Sequence, residues 1–152
     1  MRCFIGARTI RSFILVGVMI PILALVAQNA VADSRHVHAE LLGESGSSIR
    51  GHVDLMALPA GGTKIKVVVK GLEPGETYVS LYYDNHICEL EPYDEDDVIG
   101  GEYTANAAGV GTTTGEIDDD LDEVNSVSVR LASDFSLLAC ADVHPTAAHP
   151  GK

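Results

Sequence analysis

Positive charge is what this chain has least of. Its 152 residues hold 10 Lys and Arg against 22 Asp and Glu, a formal net charge of −12. Nucleic acid and anionic membrane surfaces are poor partners for such a chain. Cysteine is scarce as well, at three residues, which excludes a disulfide-dense miniature scaffold. Only one long apolar run is present, from Phe13 to Ala27, so no second membrane segment is expected. Beyond that run, no stretch carries the periodicity of an amphipathic helix. No nucleophile elbow, phosphate-binding glycine loop or paired-carboxylate spacing stands out. Ser80 and His86 are neighbours in sequence, yet nothing orients one toward the other.

The apolar run has the setting of a secretory leader. Arg2, Arg8 and Arg11 precede it and Ala30-Val31-Ala32 follows, so residues 1–32 read as a signal peptide with Asp33 opening the mature chain. Cys3 leaves with the leader. So do three arginines and no acidic residue, which moves the net charge from −12 to −15. A secreted or periplasmic location is expected, with no membrane attachment after cleavage. The two remaining cysteines, Cys88 and Cys140, then suit a single disulfide in an oxidising compartment. Closing so long a loop contributes about 4 kcal/mol in the chain-entropy treatment.

The body, residues 33–143, reads as one all-β domain. Val37, Ala39 and Leu41 alternate with His36, His38 and Glu40; Gly51, Val53 and Leu55 alternate with Arg50, His52 and Asp54; Ile65, Val67 and Val69 alternate with Lys64, Lys66 and Lys70. A period of two marks strands with one buried and one wet face. Val68 interrupts the polar side of the third. Ala60-Gly61-Gly62 and Pro74-Gly75 supply turns between them. Further strands are expected at Tyr78–Tyr83, Gly101–Ala105, Val110–Glu116, Val124–Leu131 and Leu137–Val143. About eight antiparallel strands at short spacing suit a sandwich or flattened barrel. Residues 144–152, with Pro145 and Pro150, read as a loose tail.

Two short segments carry a resemblance. Gly71-Leu72-Glu73-Pro74-Gly75 leads through a strand to Cys88, and Ser136-Leu137-Leu138-Ala139-Cys140 closes the body; between them, Gly101 to Val110 has a strand-turn-strand pattern with its turn at Asn106 to Gly109. In this arrangement the chain resembles the copper/zinc superoxide dismutases. The resemblance implies a Greek-key β-sandwich and the Cys88–Cys140 bond. It also implies where metal ligands would fall, and there the chain departs from the family. Ser80 and Tyr82 stand at the positions of a His-x-His copper pair. Ala132 or Ser133 stands near the last copper histidine, and Leu137 replaces the anion-guiding arginine. No histidine occurs between Cys88 and Cys140. Copper needs several imidazoles in a fixed geometry and zinc about four N, S or O donors. The expectation is therefore a non-catalytic member with a binding or structural role and no cofactor.

The alternative is a divergent dismutase or metal protein using other histidines. His36 and His38 share one strand face, and His52 falls on the same face of the next strand, a set suited to copper or zinc. Solvent-facing histidines on the polar side of a half-buried sheet are the stronger reading. His36 is fourth in the mature chain, where an amino-terminal copper motif wants a histidine third. The acidic runs Asp94–Asp97 and Asp118–Glu123 suit calcium chemically. They lack the alternating loop pattern, so solubilising loops are the stronger reading. Tyr78 and Tyr82, at i and i+4 of a strand, share a face that could line a small outer patch for a partner, with half-buried sheet tyrosines as the ordinary alternative. A protein partner, as for secreted β domains in matrix or adhesion contexts, and dimerisation both remain open at this level.

Overall fold

A computed structural model describes residues 35–92 and 95–145. The expected leader over residues 1–32 lies outside the described residues, as do Asp33, Ser34, Tyr93, Asp94 and the residues beyond Pro145. Eight strands make one antiparallel sheet: β1 His36–Gly43, β2 Arg50–Ala57, β3 Thr63–Lys70, β4 Thr77–Tyr83, β5 Tyr103–Thr104, β6 Val110–Ile117, β7 Ser126–Leu131 and β8 Leu137–Asp142. Their spatial order is β5-β4-β7-β8-β1-β2-β3-β6. The two ends of the sheet, β5 and β6, approach each other, so it curls into a nearly closed barrel. Glycine permits the approach: a Cβ on Gly111 would lie 2.6 Å from the Tyr103 ring. Among the described residues the sole helical element is one 3-10 turn, Glu95–Asp97. No described helix is long and apolar enough to cross a membrane.

The alternation read from the sequence becomes the barrel interior. Ala39, Leu41, Val53, Leu55, Ile65, Val67 and Val69 are all buried in one cluster. Burying such side chains contributes roughly 1.5–3 kcal/mol each. At Gly51 of β2 a Cβ would meet the Val68 carbonyl oxygen of β3 at 2.1 Å, so the position has no room for a side chain. The Asn106–Gly109 turn also forms. Asn106 Oδ1 accepts from the amides of Ala108 and Val110 at 2.9 and 3.1 Å, and Gly109 takes a φ of 69°.

Two expectations need correction. The strand expected over Gly101–Ala105 shrinks to Tyr103–Thr104. Gly100 and Gly101 both have positive φ, which turns the chain out of an extended path. Tyr78 is buried rather than on an outer patch. Its hydroxyl accepts from the Glu73 amide at 2.9 Å, and its ring packs 6.1 Å from that of Tyr103. Tyr78, Ser80 and Tyr82 do share a face of β4, but that face looks toward the main core.

β4 and β7 are buried on both sides, unlike β1 to β3. Their second face carries Val79, Leu81 and Tyr83, which pack with Cys88, Val98, Phe135, Leu137 and Cys140 beneath the loop after β4. The Cys88–Cys140 disulfide, with Cα atoms 6.0 Å apart, ties that loop to β8. Arg130 lies in the same layer, 5 % exposed. Its Nε donates to Tyr83 Oη at 2.9 Å, its Nη1 to the Phe135 carbonyl at 2.7 Å, and its Nη2 to the Cys88 carbonyl at 2.7 Å. Removing this guanidinium takes a charged donor from the Cys88 and Phe135 carbonyls and from Tyr83 Oη, which keeps its contact with Ser128 Oγ. Arg130→Met is expected to lower unfolding free energy in denaturant titration by about 2–4 kcal/mol. Arg130→Lys should restore little of it, because an ammonium lacks the planar fork that meets all three acceptors.

Candidate functional site

Two regions bring chemistry-bearing side chains together. One is the outer face of β1 and β2. Antiparallel pairing sets His38 opposite Asp54, His36 opposite Met56, and Glu40 opposite His52. All the polar members point away from the core, as alternation requires. The result is a carboxylate surrounded by imidazoles. His38 Nδ1 lies 2.7 Å from Asp54 Oδ1, His36 Nε2 lies 3.7 Å from the same oxygen, and His52 Nε2 lies 3.6 Å from Oδ2. The His38 and His52 rings are 5.3 Å apart. The hydrogen bond from His38 holds the Asp54 carboxyl below the usual carboxylate range, assisted by the charges of all three histidines and opposed by partial burial. A depressed carboxyl stabilises the fold above its ordinary pKa of 3.8, and that contribution is lost as pH falls through the lower folded value. The three histidines singled out in the sequence thus converge, and Asp54 is the member that sequence reasoning missed. Among the described residues, no group of three or more His, Cys, Asp or Glu side chains is arranged to hold a metal ion. Here the carboxylate itself fills the centre.

The second region holds the positions that the dismutase resemblance marked. Ser80 is fully buried, and its Oγ lies 3.0 Å from Tyr103 Oη. Tyr82 is half-buried on the same face of β4. Leu137 packs on the opposite side of that strand, with Val79 and Cys88. Ala132 follows the end of β7, and its amide donates to the Thr77 carbonyl at 3.0 Å. These four positions do not surround a common point. Beside Tyr82 the surface opens into two adjoining depressions of about 200 and 380 Å³, which share Asp119. Asp84, Glu91 and Asp97 line one, and Glu95, Asp96, Glu116 and Asp118 line the other. So many carboxylates repel small anions. His86 is elsewhere, its Nδ1 2.9 Å from Asp142 Oδ1, and it makes no approach to Ser80.

Compared with known proteins, the sequence matches no family model and is significantly similar to no curated protein.

Tyr103 is the group most perturbed by this packing. Burial pushes its hydroxyl up to about 12, with the Ser80 hydrogen bond opposing and Tyr78 assisting. The ordinary value is 10.0. A raised pKa means its stabilising effect is complete below pH 10 and disappears as pH rises through 12. Wild-type stability is therefore expected to fall between about pH 10 and 12, and Tyr103→Phe should flatten that fall. Denaturant titrations of both proteins at pH 9 and pH 11.5 measure the difference.

Proposed function

We propose that this chain is a secreted or periplasmic β-sandwich of the copper/zinc superoxide dismutase kind, without that chemistry, serving a binding or structural role. One observation carries the reading. Where the resemblance would place a ligating imidazole, Ser80 is buried and hydrogen-bonded to Tyr103, with no nitrogen donor available. The opposite placement of Leu137 and the acidic rim around Tyr82 agree with it. A Greek-key arrangement is supported by the strand order: β3 pairs with β6 and β4 with β7, so the β3–β4 and β6–β7 connections cross over and do not join neighbouring strands. The Cys88–Cys140 bond is consistent with export into an oxidising compartment.

Protein loaded with copper and then desalted is expected to give no dismutation above that of free copper. Activity that survives desalting and is lost in His38→Ala would overturn the reading in favour of a divergent dismutase. For export, amino-terminal sequencing of protein recovered from the medium or periplasm should begin at Asp33. An uncut terminus would refute the leader.

A further inference from the structure

We propose that His38, His52 and Asp54, with His36 beside them, form a zinc(II) site on the outer face of β1 and β2. The site lies apart from the positions that the dismutase resemblance marks, and it goes beyond the non-catalytic reading by naming a ligand. Three imidazole nitrogens lie within 3.7 Å of one carboxylate. Zinc asks for such a set: neutral imidazole and ionised carboxylate donors at about 2.0–2.2 Å from the ion. Ligand atoms around a tetrahedral ion therefore stand roughly 3.3 Å from each other; the His36 and His52 nitrogens lie 3.7 and 3.6 Å from the Asp54 oxygens, and the His38 nitrogen lies closer, at 2.7 Å. As they stand, these side chains are not arranged around an ion, so uptake requires them to move. Asp54 leaves its hydrogen bond to His38 and turns its carboxylate onto the ion, while the half-exposed rings of His38 and His52 rotate inward.

The strand pairing makes that movement local. His38 and Asp54 are directly opposite, and His52 lies two residues from Asp54 on the same strand, so all three project from one face at neighbouring positions. Charges nearby do not forbid a cation. Lys66 is the cross-strand neighbour of Asp54 on β3, but Glu40 stands opposite His52. Lys64 is already paired with Glu116 at 3.0 Å. With the imidazoles neutral, the carboxylates of Asp54, Glu40 and Glu116 match in number the cations Lys64, Lys66 and Arg50, which lies two residues from His52 on the same face of β2. The acidic rim around Tyr82, by contrast, offers carboxylates without imidazole and has nothing that selects zinc. Zinc binds only deprotonated ligands, so acid opposes uptake of the ion.

The test is calorimetric titration of tag-free protein with zinc chloride at pH 7.5 and at pH 5.5. One ion per chain is expected at the higher pH, with markedly weaker uptake at the lower. His38→Ala and His52→Ala should each weaken binding by about tenfold or more, and Asp54→Asn should weaken it too. His144→Ala, whose ring bonds to the Leu121 carbonyl on another part of the surface, should leave it unchanged. The variants change exposed or half-buried side chains outside the core, and circular dichroism verifies that each is folded. Absence of saturable uptake overturns the proposal, as does full affinity in the His38→Ala/His52→Ala double variant. Because zinc does not cycle between oxidation states, this readout is independent of the dismutase assay.

Discussion

The guanidinium of Arg130 organises the half of the molecule that the sheet alone would leave open. Only two non-glycine residues among those described have positive φ, Cys88 at 53° and Phe135 at 57°. Each costs about 1–2 kcal/mol of backbone strain. Both present their carbonyls to Arg130. One planar cation thus fixes two strained backbone turns on either side of β4 and β7, and through Cys88 it fixes the disulfide. Among the described residues no carboxylate pairs with it. Its charge is met by two carbonyl dipoles, the Tyr83 hydroxyl at 2.9 Å and the Tyr83 ring face at 5.9 Å. Such a charge is expensive to bury, and only a full set of directed acceptors offsets the cost.

That arrangement explains why the barrel has two unlike halves. β1, β2 and β3 bury one face and leave the other wet, which is the ordinary economy of an antiparallel sheet. β4 and β7 have a second roof, formed by the disulfide-tied loop and Phe135. Serines at 126 and 128 sit under that roof only because each has a partner: Ser126 Oγ donates to the Asn85 carbonyl at 2.6 Å, and Ser128 Oγ meets Tyr83 Oη at 2.9 Å. No buried side-chain nitrogen or oxygen among the described residues lacks a hydrogen-bond partner. A polar layer so completely satisfied holds its side chains in fixed positions.

The same asymmetry decides what could be read in advance. On β1 to β3 the hydrophobic period is undisturbed, so the strands and their buried faces were legible residue by residue. The convergence of His36, His38 and His52 followed from the same alternation. Asp54 was equally visible, as the alternating neighbour of His52, but which wet residue stands opposite which depends on the strand register, and that is fixed by turns and packing. On β4 and β7 the period fails, because Val79, Leu81 and Tyr83 are as buried as Tyr78 and Ser80. A strand apolar on both sides gives no cue to which face meets the main core, and the outer-patch reading of Tyr78 failed there. Arg130 was hidden for a related reason. An arginine in a strand reads as a wet residue, and only the roof over β7, built from residues far away in sequence, makes it an interior one.

The histidine face and the buried arginine are opposite solutions to holding charge in a strongly acidic chain. Arg130 is dry and geometrically fixed, so it serves the fold and is closed to any ligand. Asp54 is wet, and its hold on three imidazoles depends on protons that solvent supplies or removes. In water an exposed ion pair contributes little to stability, so the fold does not depend on that cluster. Four side chains that the fold can spare, on a face of rigid strands, are free to exchange a proton for another cation. The interior network has no such freedom. If this chain takes up an ion, the chemistry lies with the residues that packing does not need.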